Sequence, residues 1–545
     1  MFEEDYEEFT ESQKKILARF VTNVSSNVFA IRNLPEVIKG ALFSRYSRSI
    51  LGLRTLLLKE FITNNDEAFF EPIAGFLEHS AEDQQVAIQK AQSFYDRILD
   101  GYGDDSIGEL GGAHIAIENI SMLGAKIIED ARIGGSPLEK STRYIYFDQK
   151  VKGEYLFYRE PIIMTSAFKE MFLNTCNSLF ETYSRLIPPL TAQFESHFPK
   201  DPRVSQTAYS AATRAKVLDC LRGLLPAGTL TNMGIFGNGR FYEHLIHRLL
   251  CNNLVETQET GKRMLTELSK VIPSFVRRCN PSHRTHESYA RFHETMELEL
   301  KQTASNFFSF PKVEPKGASV RLIKYDPNSV YKVAAALMYP YSTHSLEALE
   351  EHCRSLNEED LHRVLEAAAS SRETRRHKSP RGLEHAKFSF EILADFGVYR
   401  DLHRHRILTQ ERQLLSCDYG YYIPSEICGT SLEKEYRQAM DLAKSTHDAI
   451  AKDLPEEAQY VVPMAYNIRW YFHVNLRALQ WITELRSTPA GHSNYRHVAQ
   501  RMAKEVCQAI PAFERFFKFV DYSGYEMGRL GQEIRKAEKQ SISIG

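Results

Sequence analysis

Apolar residues fall on alternate positions at two places in this chain: Ile115 and Ile117 in one, and Phe388, Phe390 and Ile392 in the other. Period two predicts a half-buried strand at each place. In both, a helical pattern follows and ends in charged residues and a loop: AHIAIENISMLGAKIIEDARIGG in the first, AKFSFEILADFGVYRDLHRHR in the second. Each strand is preceded by a matched stretch, Gly103 to Glu109 and Ser379 to His385. Farther on, LRGLLPAGTLTNMGIFGNGRFYEHL (221–245) parallels AQYVVPMAYNIRWYFHVNLRALQWI (458–482), with Pro226 and Pro463 placed alike before Asn238-Gly-Arg240 and Asn475-Leu-Arg477. SSNVFAIRNLPEVIKGALFSRYS likewise matches DPNSVYKVAAALMYPYS. Order and spacing together predict a duplicated α+β domain. The prolines and glycine of NFFSFPKVEPKG (306–317) mark its junction near residue 315. The expected organisation is an acidic arm over 1–28, solvated and mobile at 1–13, a first copy over 29–315 and a second over 316–545. Long amphipathic stretches at 81–99, 431–453 and 494–508 read as core-packing helices.

The chain has 545 residues, enough for several cores, with 68 Lys and Arg against 70 Asp and Glu, a net charge of −2. That balance argues against a polybasic nucleic-acid binder and against acidic disorder. No apolar run of ~18 residues predicts a membrane span. The N-terminal MFEEDYEEFTESQ is the opposite of a signal or transit peptide, so a cytoplasmic location is expected. The eight cysteines are scattered singly without a CxxC pair, which predicts neither a zinc ribbon nor disulfides. HExxH is absent, and the pair His244 and His247 reads as helix surface, so no metal is expected.

The densest candidate chemistry is Arg404-His405-Arg406, with Arg400, His403 and Arg412 close by in sequence. Such a run is either a solvated basic helix end or an anion site. Preceded by Glu384-His385 and followed by a loop ending in YYIP, the triplet resembles the signature of the flavin-dependent thymidylate synthases, the ThyX family. That signature is Arg-His-Arg, seven further residues and a serine, within a pattern running into Ser-x-Arg-Tyr. The resemblance covers both copies, and the departures divide between them. The second copy keeps the triplet but has Leu414 and Ser416 where the family has its serine and arginine. The first has Asp130-Ala131-Arg132 at the triplet but keeps Glu139-x-Ser141-x-Arg143-Tyr144. The family arginine before the proline survives as Arg222 and is Gln459 in the second copy; the one after Asn-x-Arg survives as Arg486 and is Leu249 in the first.

Family sites form between subunits. The resemblance therefore implies two ThyX-like domains, each a small sheet flanked by long helices, packed as a pseudo-dimer with one complete deoxyuridylate (dUMP) pocket and one dead one. Glu139, Ser141, Arg143, Arg222 and Arg486 would bind dUMP, with Arg486, Ser141 and Arg143 serving catalysis. Arg404, His405, Arg406, Asn475, Arg477 and Glu384 would bind FAD, joined by Asn238, Arg240, Ser106 and Glu109 in any flavin contact from the first copy, where Asp104 replaces the family histidine. If 466–486 is one helix, Asn475 and Arg486 share a face while Arg477 points away.

The implied reaction methylates dUMP to dTMP, with methylenetetrahydrofolate as carbon donor, FAD as hydride carrier and NADPH as reductant. Cys417 would be incidental, and the fused chain would form a homodimer that imitates the family's tetramer. Two other readings compete: a retired flavin- or nucleotide-binding protein, and a nucleic-acid module using the 400–412 cluster.

Overall fold

The structure, a computed structural model, describes residues 9–47, 49–62, 108–308 and 317–542. The 81–99 stretch, Asp104, Ser106 and the expected junction lie outside them. The chain forms two compact units, one from Met1–Ile120, Ile127–Glu139 and Asn232–Phe310, the other from Ser121–Lys126, Lys140–Thr231 and Pro311–Gly545.

In the first unit, β1 (Gly112–Ser121), β2 (Gly135–Glu139) and β3 (Leu230–Asn238) form a sheet in the order β1-β3-β2, with β2 antiparallel to β3. Asn238 ends β3 and caps the helix Gly239–Leu250, its Oδ1 accepting the Phe241 N–H at 2.9 Å. The acidic arm is helical over Glu11–Phe20, where Thr10 and Gln13 form a reciprocal capping box and Leu17 and Phe20 are buried. His247 is not surface. Its helix turns it inward beside Ile246 and Leu249, and its Nδ1 lies 2.8 Å from Nδ1 of His286 on the helix Arg284–Phe307. Burial and the neighbouring histidines lower its pKa to about 4.

The second unit holds a four-stranded antiparallel sheet, β4 (Ser319–Tyr325), β5 (Lys387–Asp395), β6 (Thr409–Arg412) and β7 (Asn467–Asn475), in the order β4-β5-β7-β6. Around it lie α1 (Lys169–His197), α2 (Gln206–Leu221), α3 (Phe396–Leu402), α4 (Leu476–Arg486) and α5 (Ser493–Ala509). The stretch 466–486 is therefore a strand and then a helix. Ile468, Trp470, Phe472 and Val474 are buried while Tyr471 is exposed, the alternation of a strand, and Asn475 caps α4 by accepting the Ala478 N–H.

The repeat closes on itself within this unit. Pro226 and Pro463, the prolines matched in sequence, face each other in an antiparallel bridge. Around them the hydrogen bonds come in equivalent pairs: Ala227 N to Val462 O at 2.8 Å and Met464 N to Leu225 O at 2.9 Å, then Gly228 N to Tyr460 O at 2.8 Å and Ala465 N to Gly223 O at 2.9 Å. The same segment of each copy thus bonds to its counterpart about a local two-fold, as identical subunits do at an isologous interface. The flanking elements repeat it too: Met122 N bonds Thr229 O as Phe396 N bonds Tyr466 O.

This junction leaves no room for a side chain. A Cβ on Gly228 would sit 2.9 Å from the Tyr460 carbonyl oxygen, whereas one on Gly234 would meet nothing within 4 Å. Gly228→Ala is expected to lower stability by about 1–3 kcal/mol, and Gly234→Ala by about 0.5 kcal/mol or less, measured by urea denaturation.

Candidate functional site

The second unit gathers arginines from both copies around buried carboxylates. Ser141 opens the first half of the site: its Oγ accepts the Arg143 N–H at 3.2 Å, a local turn that aims Arg143 inward from its loop. Arg143 then grips Asp219 of α2 with a two-pronged contact, Nε to Oδ1 at 2.5 Å and Nη2 to Oδ2 at 2.7 Å. Its Nη1 donates to the Tyr495 hydroxyl at 3.2 Å. Burial disfavours both charges, but the pair more than offsets it: Asp219 is held well below the usual carboxylate range and Arg143 is raised.

Arg222, just past α2, places both terminal nitrogens 3.2 Å from one oxygen, Oδ2 of Asp401 in α3. Gly397 lets it lie against α3, since a Cβ there would be 3.2 Å from Nη2 of Arg222. The other oxygen of Asp401 accepts from Arg404 Nη2 at 2.7 Å. Asp401 therefore bridges an arginine of the first copy to the triplet of the second. Burial opposes its charge, yet Arg222, Arg404, Arg143 and Arg486 together hold its pKa far down. Asp395 shows the contrast: burial raises it, while Asn494 donates to its Oδ2 at 2.8 Å.

Arg486 ends α4 and donates from Nε to Nε2 of His405 at 2.9 Å. Burial, then the charges of Arg486 and Arg404, push His405 well below its ordinary pKa, so it stands neutral as an acceptor. Tyr495 of α5 lies between the halves, its ring centroid 5.6 Å from the Arg143 guanidinium carbon and 5.7 Å from that of Arg486. His492 completes the cluster: its Nδ1 accepts the Asn494 N–H, so the Nε2–H points to the Asp219 carbonyl at 3.1 Å.

The remaining expected residues fall elsewhere. Glu384 and Asn475 line a cavity of about 920 Å³ in the second unit, with Tyr341, Arg381, His385 and Lys387 among its other walls. Arg477 is held by Glu384 at 2.8 Å and the Ser379 carbonyl. Helix α4, eleven residues and about 16 Å long, thus starts at this cavity and ends at the arginine cluster. Arg406 is exposed. In the first unit, Glu139 ends β2, Arg240 pairs with Glu109 at 2.5 Å, and Asn238 is a helix cap. Gln459, at the position matching Arg222, is buried and spent on the Leu415 N–H, Arg412 and the Glu456 carbonyl. Cys417 is buried, with its thiol pushed well up by burial.

Sequence reading missed Asp219, Asp401, Tyr495 and His492. Asp401 stands three residues before Arg404 in the sequence, the spacing of an intrahelical ion pair; the others reach the cluster only through folding.

Comparison with known proteins follows the repeat. The family model described as Thy1, thymidylate synthase complementing protein, matches residues 63–274 and again 321–512. A UPF0159 protein of Chlamydia pneumoniae is 58% identical over 530 residues, covering 97% of this chain and 98% of its own. A flavin-dependent thymidylate synthase of Clostridium tetani is 29% identical over 222 residues, 36% of this chain and 84% of its own. Among solved structures, the UMP/dUMP methylase PolB of Streptomyces cacaoi bound with 5-Br UMP aligns at 18% identity and a TM-score of 0.30, over 38% of this chain and 98% of that one.

Burial, then the charge of Arg222, lowers the pKa of His492 to about 3, against about 6.5 when unfolded. The native state therefore refuses a proton that the unfolded chain accepts. This contribution is intact above pH 6.5 and is lost as pH falls from there toward 3, at about 1.4 kcal/mol per unit. His492→Gln is expected to flatten the pH dependence of the urea midpoint between pH 6 and 4.5 by about one proton.

Proposed function

The chain belongs to the thymidylate synthase complementing protein family, and from that premise we propose that it converts dUMP to dTMP. Methylenetetrahydrofolate supplies the carbon, FAD the hydride and NADPH the reducing power. The observation that carries this reading is the gathering of Arg143, Arg222, Arg404 and Arg486, two from each copy, around Asp219 and Asp401. Guanidiniums outnumber the paired carboxylates, and a surplus of positive charge that runs from the interior to the exposed Arg404 suits a phosphate monoester.

The contacts suggest a division of labour. Arg143 is locked by Asp219 and sets the floor of the phosphate site. Arg222 holds Asp401 by two longer bonds to one oxygen, so it is the cation that can turn to a phosphate while Asp401 keeps Arg404. Ser141 fixes the loop. Arg486, anchored on neutral His405, would stabilise negative charge arising on the pyrimidine.

The residues around the 920 Å³ cavity suit a flavin dinucleotide: an aromatic ring in Tyr341, cations in Arg381 and Lys387, and polar ends in Glu384 and Asn475. FAD bound there would supply the hydride, and the chain's part is to hold and orient it. Arg404, His405 and Arg406 would reach toward it from the cluster, and Arg477 would hold Glu384 in place. The working assembly in this proposal is a cytoplasmic homodimer of the fused chain.

A retired nucleotide binder is favoured by one observation, that carboxylates already engage Arg143 and Arg222. Turnover with dUMP, the folate and NADPH separates the two readings. Arg222→Gln removes a charge-assisted contact worth about 1.5–3 kcal/mol. The dUMP dissociation constant is expected to rise about 10- to 150-fold, followed by the absorbance of bound FAD, while FAD binding itself stays unchanged. Equal loss of FAD would contradict the assignment of Arg222 to the nucleotide.

A further inference from the structure

Past the second family match, which ends at residue 512, the C-terminal segment returns an arginine to the cluster. Arg529 is buried at 8% exposure, immediately before the helix Leu530–Ile542, which packs on α2. Its guanidinium carbon lies 4.3 Å over the ring of Tyr144, which follows Arg143 in the loop that also carries Ser141. Its Nε donates to the Ala490 carbonyl at 3.3 Å, the same oxygen that takes Arg143 Nη2 at 3.3 Å. Two guanidiniums thus converge on one carbonyl, and both oxygens of Asp219, whose charge also acts on Arg529, are already taken by Arg143.

One group in this arrangement is left over. Nη1 of Arg529 is buried without a hydrogen-bond partner among the described residues. An orphaned N–H on a buried cation is costly, and like charges this close repel. Burial and the charge of Arg143 accordingly lower the pKa of Arg529. An anion placed between Arg143 and Arg529 would remove both penalties. A purely structural arginine would be expected to satisfy all its donors, as Arg372 does more fully with both oxygens of Glu484 and the carbonyls of His377 and Phe516.

We infer that Arg529 is a further phosphate-binding residue, supplied by the C-terminal segment to act beside Arg143. The inference rests on the nucleotide site proposed above and extends it to a part of the chain outside the family match. The stack on Tyr144 then has a second consequence: it ties the C-terminal segment to the nucleotide loop, so that one anion orders both.

The test compares three probes on the FAD-loaded full chain: dUMP, inorganic phosphate and deoxyuridine, which lacks the phosphate. Arg529→Gln is expected to raise the dUMP dissociation constant about tenfold or more, to remove thermal protection by phosphate, and to leave deoxyuridine binding as it was. Arg529→Lys keeps the charge and should restore part of the phosphate protection; it carries the comparison if the Gln variant does not fold. Unchanged dUMP affinity in both variants, or an equal loss for deoxyuridine and dUMP, would overturn the assignment and leave Arg529 a clamp on Tyr144. A wild-type chain protected by phosphate through Arg529 but indifferent to dUMP would sustain the anion site and overturn the nucleotide reading instead. Protection by neither would overturn both.

Discussion

Buried guanidiniums must be answered by negative charge, and the second unit is arranged around that need. Arg143 and Arg222 come from the first copy and are buried, Arg486 comes from the second and is half-buried, and a guanidinium so placed is not tolerable alone. Arg404, also from the second copy, joins them from the solvent side. Asp219 answers Arg143 with both oxygens, and Asp401 divides its oxygens between Arg222 and Arg404. Breaking one partner of such a pair typically costs about 3–5 kcal/mol, because the other charge stays buried. The cluster is thus both a joint between the copies and the candidate place for a ligand's charge.

The local two-fold at Pro226 and Pro463 is what lets the copies share the work. There each copy's segment bonds to its counterpart, Ala227 to Val462 as Met464 to Leu225. Duplication inside one chain then frees the two halves to differ. Gln459 replaces the arginine at the position of Arg222, and its amide is consumed by backbone and by Arg412, a stable arrangement with no donor fork to spare. The loss is harmless to folding because a neutral amide is easier to bury than a guanidinium.

Much of this was legible in the sequence. The alternation at Phe388, Phe390 and Ile392 forms β5, the matched prolines meet, and the arginines complementary between the copies come together in one place. Other features were not. The strand β7 was missed because the apolar Tyr471 on its exposed face blurs the alternation of Trp470, Phe472 and Val474. The inward turn of His247 depends on His286, far along the chain. Asp219, Tyr495, His492 and Arg529 carry no local pattern; their place comes from tertiary packing, which brings Tyr495 to Arg143 and Arg529 to Tyr144. Asn238 and Asn475 show the opposite hazard, since matched residues that read as ligand contacts also cap helices in both copies.

The proposed chain carries one nucleotide site, built from complementary remnants of two copies. Calorimetric titration of dUMP into the FAD-saturated chain counts those sites. A stoichiometry of one nucleotide per chain is expected. Two equivalent sites per chain would contradict it, because the second copy has Ser416 and Gln459 where the first has Arg143 and Arg222; no binding at all would remove the site altogether.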